Sequence, residues 1–284
     1  MRLSIDHTTG FSYSSPVASS YNEARMVPTT SQNQTVWSSR ISIDPTPWSF
    51  SYLDYWGTRV TAFELHQPHQ RLTVQAESVV ETRGDGSPWD EQRLVAEDDL
   101  GWSALRDPGV IASMTEFLTI TDRTAPPEEL AQLTRDVVAG QPPRLAALDV
   151  CRLIADRLSY QKGATAVTST AREVWEGGRG VCQDFSHVTL GALRAVGVPA
   201  RYVSGYLYPG SGEPNHKIIG ESHSWVEWWC GSWAAFDPST QRRISDHYVR
   251  VGHGRDYADV APLRGTYSGG ASTMFVTVEM TQLG

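Results

Sequence analysis

Cysteine is scarce in this 284-residue chain. Its three cysteines, at 151, 182 and 230, are too few and too odd in number for a disulfide framework, which points to a reducing compartment or to thiols with separate roles. No stretch approaches the ~18 consecutive apolar residues of a membrane helix, and the opening MRLSIDHTTGF has no apolar signal region. These absences predict a cytoplasmic protein that does not enter a membrane. Basic residues are outnumbered, 24 Lys+Arg against 32 Asp+Glu for a formal net charge of −8, so bulk binding to nucleic acid or to an anionic bilayer is disfavoured. Calcium sites need dense acidic runs with carbonyl-rich turns, and the chain has no such run and no internal repeat. What it does have is 40% hydrophobic and 20% charged residues, a balance that excludes a disordered chain. Its length suits two domains at ~150 residues each.

The order of patterns predicts an α+β fold. An antiparallel, β-sandwich-like domain covers residues 1–100, a linker 101–125, and a core with helices packed on an antiparallel sheet 126–284. Short β-rich runs at Arg2–Ile5, Thr35–Ile43, Thr58–Leu65 and Leu72–Glu81 are separated by Ser15-Pro16, Pro45-Thr46-Pro47 and Gln67-Pro68. Residues 83–92 read as a polar loop, in which Arg83-Gly84-Asp85 is turn chemistry rather than an adhesion signal. After Pro126-Pro127, Leu130, Leu133 and Val137 form one helical stripe that ends at Gly140. Leu145, Leu148, Cys151, Ala155 and Leu158 form a second, which makes Cys151 a packed and inert thiol. A third helix over 182–196 carries Phe185, Val188, Ala192 and Val196 and stops at Gly197. A strand over 198–207 follows. HSWVEWW (223–229) and SWAAFD (232–237) then flank a Cys230-Gly231 turn as a hairpin, with Cys230 expected to be exposed.

The third helix is approached through Trp175-Glu176-Gly177-Gly178-Arg179-Gly180-Val181, which sets Cys182 at a helix N-terminus. Unpaired N–H groups and the positive end of the helix dipole favour an anion there, so they stabilise a thiolate and can also hold a developing oxyanion. A thiolate nucleophile needs a proton carrier for its leaving group, and imidazole titrates nearest neutrality. In the hairpin, His223, Trp225, Glu227 and Trp229 share one face. A three-residue loop sets His223 directly or diagonally across from Asp237, within ~4.5–8 Å between Cβ atoms. Asp237 can then receive the ring N–H and fix the tautomer.

Taken singly, each of the three is more often an ordinary packed or turn residue; their registration across strands is what independent readings do not explain. Zinc is not implied, because Cys182 and His187 project roughly 140° apart on a helix. Asp184 is near Cys182 in sequence only. The tryptophans at 225, 228, 229 and 233 serve packing or the walls of a groove. Residues 241–264 read as a mildly basic, solvated face.

The blocks GVCQDFSHVTLGALRAVGVPARYVSGYL (180–207), SHSWVEWW (222–229), FDPST (236–240) and GRDYADVAPLRGTYSGG (254–270) occur in that order. They resemble the transglutaminase-like cysteine-enzyme superfamily, in its bacterial form with an appended N-terminal β-domain, and the resemblance spans nearly the whole chain. It implies a papain-like or transglutaminase-like core, acyl transfer through a thioester at Cys182, His223 as general acid/base and Asp237 as the orienting carboxylate. It also implies an oxyanion site made by the Cys182 N–H and a second donor. Tyr160 is the candidate for that donor; Gln183 is an alternative, although as the next helical residue it should point about 100° away. Trp225 is a candidate groove wall. Unlike the calcium-dependent animal enzymes, this chain implies no metal and no other cofactor. The expected partner is a protein or peptide substrate, whose amide is hydrolysed. The alternatives are amine transfer, as by a protein-glutamine transglutaminase, and a non-catalytic protein-binding module, against which the joint presence of Cys182, His223 and Asp237 argues.

Overall fold

Along Arg2–Val17 the buried residues Leu3, Ile5, His7 and Thr9 alternate with less buried neighbours, the period of two that a sheet surface imposes. This strand, β1, lies within the largest sheet of the computed structural model, which describes residues 1–84, 99–210 and 214–283. It is followed by β2 (Ser20–Ala24), β3 (Gln34–Asp44), β4 (Trp48–Leu53), β5 (Arg59–Leu65) and β6 (His69–Thr82). Three short helices, α1 (Trp102–Leu105), α2 (Pro108–Ser113) and α3 (Thr115–Leu118), occupy the stretch read as a linker. Next come α4 (Glu128–Val138), α5 (Pro143–Arg157), β7 (Ser159–Tyr160), α6 (Ala171–Gly177), β8 (Arg179–Gly180) and α7 (Cys182–Ala195). The order ends with β9 (Ala200–Leu207), β10 (Lys217–Trp229), β11 (Trp233–Asp237), β12 (Arg242–Arg243), β13 (Tyr248–Gly254), α8 (Tyr257–Val260), β14 (Leu263–Tyr267) and β15 (Ser272–Leu283).

One sheet runs β12-β11-β10-β15-β1-β6-β3, with β9 pairing both β10 and β13; a second runs β14-β2-β5-β4. Strand β10 is the junction. Its first residues, Lys217–Gly220, pair with β15, whereas 221–228 pair with β9 and 226–229 with β11. The fold is α+β with antiparallel sheets, and the four β-rich runs coincide with parts of β1, β3, β5 and β6. Two features differ from the sequence reading. Strands β14 and β15 return to β2 and β1, so the N-terminal sheets are built from both ends of the chain. Residues 241–264 are not a solvated face: they hold β12, β13 and α8, with Tyr248, Val249 and Val251 buried. The polar loop read over 83–92 lies, from residue 85 onward, outside the described residues. No helix among the described residues is long and apolar enough to cross a membrane.

Helix α7 is buried along most of its length, against α4, α5 and α6 on one side and β9 and β10 on the other. Leu148, Ile154, Trp175, Phe185, Val188 and Trp228 fill the space between them. The helix passes so close to the preceding chain that a Cβ on Gly191 would lie 1.9 Å from the Thr124 carbonyl oxygen. Gly191→Ala is therefore expected to push α7 off its seat and lower stability by ~3 kcal/mol, the upper end for overpacking; chemical denaturation of the two proteins checks this.

Cys230 corrects the sequence reading, because it is fully buried. The hairpin turn is covered rather than solvated: the Leu100 N–H donates to the Cys230 carbonyl at 3.0 Å, and the Arg144 guanidinium reaches the Ser232 carbonyl and hydroxyl at 3.1 and 2.7 Å.

Candidate active site

Helix α6 ends on Gly178, whose φ of +65° is the left-handed conformation that glycine adopts freely. The chain then enters β8, which pairs in parallel with β7 and sets Tyr160 beside Gly180. Val181 is extended, and Cys182 is the first residue of α7. Val181 has no side-chain oxygen with which to cap the helix. Instead Asp184 reaches back, accepting the Val181 N–H at 2.7 Å and the Thr165 hydroxyl at 2.6 Å on Oδ2. A Cβ on Gly180 would lie 2.7 Å from that oxygen, so the glycine is needed for the approach. Asp184 is thus part of the turn that presents Cys182, which corrects the view that it is near in sequence only. Cys182 is partly exposed, whereas Cys151 and Cys230 are buried; burial raises the pKa of both, that of Cys230 to about 12.

In the hairpin, Val226 pairs with Phe236 and Trp229 with Trp233. Asp237 therefore lies diagonally across from His223, and His223 Nε2 meets Asp237 Oδ2 at 2.7 Å. The same oxygen accepts the Thr240 hydroxyl at 2.7 Å and the Tyr248 hydroxyl at 2.9 Å, while Oδ1 accepts the Ser239 hydroxyl at 2.7 Å and the Ser239 N–H at 2.9 Å. Burial alone would raise the Asp237 pKa; the hydrogen bonds and charge of His223, with help from Ser239 and Thr240, outweigh it and hold the carboxyl below the ordinary range. His223 is itself buried, which disfavours its charged form, but hydrogen bonds to Asp237 and Cys182 and the charges of both push its pKa up to about 10. Nε2 is committed to Asp237, which leaves Nδ1 for the sulfur. Imidazole thus pairs with a buried carboxylate and lines the groove that the Cys182 thiol also lines, residue types suited to nucleophilic attack with proton return.

Cys182 and His223 open onto a groove of about 610 Å³ whose lining includes Tyr160, Gln183 and Tyr202 together with residues of β1 and β15. A smaller depression of about 310 Å³, lined by Leu207, Ser239 and Thr240, adjoins it across His223 and Tyr160. Among the described residues, no three His, Cys, Asp or Glu side chains are grouped to hold a metal.

Residues 131–238, which include Cys182, His223 and Asp237, match the model of the transglutaminase-like superfamily, and residues 3–81 match the bacterial transglutaminase-like N-terminal region. The chain is also 41% identical over 284 residues to the uncharacterized protein ML0607 of Mycobacterium leprae, covering 99% of both chains. The chain belongs to the transglutaminase-like superfamily. Another relative is the uncharacterized protein Rv2569c of Mycobacterium tuberculosis, 32% identical over 93% of this chain and 87% of that one. A crystal structure of a Cytophaga hutchinsonii protein, provisionally named a cysteine protease, has the same fold, with a TM-score of 0.78 at 19% identity over 100% of this chain and 91% of that chain.

The remaining residues singled out in the sequence fall in different places. Tyr160 lines both depressions and is about half exposed. Its phenol pKa is raised to about 12 by burial and by the charges of Cys182 and Glu221, so it keeps its proton and can donate. Gln183 lines the groove, but its Nε2 donates to the Val167 carbonyl at 3.2 Å. Trp225 does not line the groove that holds Cys182: it is buried against Tyr248, ring edge to ring face at 5.4 Å, and borders a separate depression with Glu227 and Arg250. Sequence reasoning missed Tyr202, a buried residue in the groove lining, and the contributions of β1 and β15. It also gave no account of GRDYADV, which lies beyond both matched regions. That segment braces α7 from outside: the Tyr257 N–H donates to His187 Nε2 at 3.1 Å, and the Arg194 guanidinium donates to the Arg255 carbonyl at 2.6 Å.

Proposed function

We propose that the protein is a cysteine-dependent amidase or peptidase that forms a thioester at Cys182. The observation that carries this reading is His223, hydrogen-bonded to Asp237 and lining the same groove as the partly exposed Cys182. The Cys182 thiolate attacks the amide carbonyl. His223 Nδ1–H then protonates the departing nitrogen as the C–N bond breaks, leaving the thioester and a neutral ring. Water attacks the thioester, His223 takes its proton, the C–S bond breaks, and acid and thiolate–imidazolium are restored. As the first residue of α7, Cys182 has an N–H without an intrahelical acceptor, and with the Tyr160 hydroxyl it is the donor pair for the oxyanion.

Hydrolysis is favoured over transfer to amines because the groove is open. Tyr160 is 44% exposed, Val276 48% and Cys182 itself partly exposed, which favours access of water to the thioester, and among the described residues no water-excluding wall of the kind amine transfer requires is identified. Three free thiols suit a cytoplasmic setting.

The test is trapping. After incubation with a peptide library, intact-protein mass spectrometry is expected to show an acyl adduct on Cys182, and iodoacetamide is expected to alkylate Cys182 at pH 6 at a rate that drops at least tenfold in His223→Ala. No adduct, together with alkylation indifferent to His223, would overturn the proposal.

A further inference from the structure

The inner face of the N-terminal sheet contributes one wall of the groove. His7 and Thr9 of β1 stand opposite Val278 and Val276 of β15, so their side chains share a face with Met274, and all five residues line the cavity that holds Cys182. Toward the outer end this wall is apolar and unfilled, with Met274 41% and Val276 48% exposed. Toward the inner end it is polar. His7 is 1% exposed, and its Nε2 has no hydrogen-bond partner among the described residues.

The tautomer of His7 can be read from its other nitrogen. Nδ1 lies 2.9 Å from the Tyr206 hydroxyl, and that hydroxyl spends its only proton on the Met26 carbonyl, also at 2.9 Å. A carbonyl only accepts, so the Tyr206 oxygen must accept from His7, and the ring proton is on Nδ1. Burial lowers the His7 pKa to about 4, so the ring is neutral at pH 7. Nε2 is therefore a bare lone pair on a residue that lines the groove, without a donor among the described residues, a position that is unfavourable until a donor arrives.

We infer that this wall is a specificity subsite, in which Met274 and Val276 pack an aliphatic side chain of an extended peptide substrate and His7 Nε2 accepts a backbone N–H of the same peptide. The inference rests on Cys182 being the nucleophile of an amide-cleaving enzyme. It gives the appended β-domain a role in substrate choice, since His7 belongs to its first strand. An extended peptide suits a wall made of strands, because its side chains and N–H groups alternate with the same spacing as β15.

Three probes test it: acyloxymethyl ketones bearing Ac-Leu-Gly, Ac-Asp-Gly and Ac-Leu-(N-methyl)Gly, each read as the second-order rate of Cys182 alkylation by intact-protein mass. The leucine probe is expected to react about tenfold faster than the aspartate probe, the effect of burying most of an aliphatic side chain. The N-methyl probe, which lacks the donor, is expected to be slower by a similar factor. Val276→Asp with Met274→Asp is expected to erase the leucine preference, read as the ratio of the leucine to the aspartate probe rate within the same variant. In wild-type protein, the ¹⁵N resonance of His7 Nε2 is expected to move from the bare toward the hydrogen-bonded range once the leucine adduct forms. Equal rates for the leucine and aspartate probes, or an unmoved His7 resonance, would overturn the subsite. If instead iodoacetamide labels Cys182 without dependence on His223, it is the cysteine chemistry that fails, so the two readings are told apart.

Discussion

Cys182→Ala is expected to leave ~10⁻⁴ or less of the wild-type amide-cleaving rate, and also to change how His223 titrates. In the wild type, burial disfavours the imidazolium, and the hydrogen bonds and charges of Asp237 and Cys182 reverse that, bringing the pKa to about 10. Removing the sulfur deletes part of the favourable side while burial stays, so His223 is expected to lose its proton at lower pH in the variant. Titration of the histidine Cε1–H signals by NMR reads the midpoint directly; an unchanged midpoint would show that ring and sulfur do not interact. Stability follows the same linkage. Because the folded pKa lies above the usual 6.5, the imidazolium contributes its full stabilisation below pH 6.5 and loses it as the pH climbs from 6.5 to about 10. Over that window Tm is expected to fall more steeply in the wild type than in Cys182→Ala. The alkaline limb of kcat/KM belongs at the upper end of the same window, where the ring no longer holds a proton for the departing amine.

The place of Cys182 at the start of α7 and the pairing of His223 with Asp237 were legible because local rules fix each of them, whereas nothing local brings the helix to the hairpin. A run of glycines before an apolar stripe marks the start of α7, and the length of the 230–232 loop fixes which residues of β10 and β11 are diagonal neighbours. Alternation likewise put Trp225 on the same face as His223, but it says nothing about what covers that face. Tyr248 arrives from β13 and covers Trp225 while leaving His223 beside the groove. The same limit explains Cys230, which a turn rule exposes and the distant residues Leu100 and Arg144 enclose.

Long-range strand pairing was the larger gap. Nothing in a period of two tells which edge β15 will join, yet its pairing with β1 brings His7 and Val276 into one wall. Strands β2 and β4 were passed over for opposite reasons. Ser20–Ala24 has weak strand propensity and is held by its neighbours β5 and β14, whereas Trp48–Leu53 is an edge strand with every residue exposed, so it has no buried face to betray it.

Asp237→Ala and Asp237→Asn are expected to fail in different ways, and the difference isolates what the carboxylate does. Its two oxygens accept from His223, Thr240, Tyr248 and Ser239 in a fully buried position. Alanine strands all of these donors, so it is expected to destabilise the fold by ~3–5 kcal/mol, the effect of removing one partner of a buried pair. Asparagine keeps one acceptor. With that oxygen facing Ser239, its amide N–H₂ faces His223 Nε2, which can no longer donate; the ring proton moves to Nδ1, beside the sulfur it should relieve. Stability falls by less than in Asp237→Ala, because one acceptor remains, while kcat is expected to drop by ~10⁴-fold. Tyr248→Phe is the graded control. It removes one donor from Asp237 but keeps the ring on Trp225, and Tyr248 does not line the groove, so kcat is expected to fall about tenfold with KM unchanged. The acid side separates the variants again. A carboxyl whose folded pKa is depressed stabilises the protein above its ordinary value and ceases to do so as the pH falls through the folded one, and Asp237→Asn has no such loss. If Asp237→Asn kept the wild-type kcat, the carboxylate would be a packing group alone, and the orientation of His223 would have to come from its pairing with Gly205 on β9.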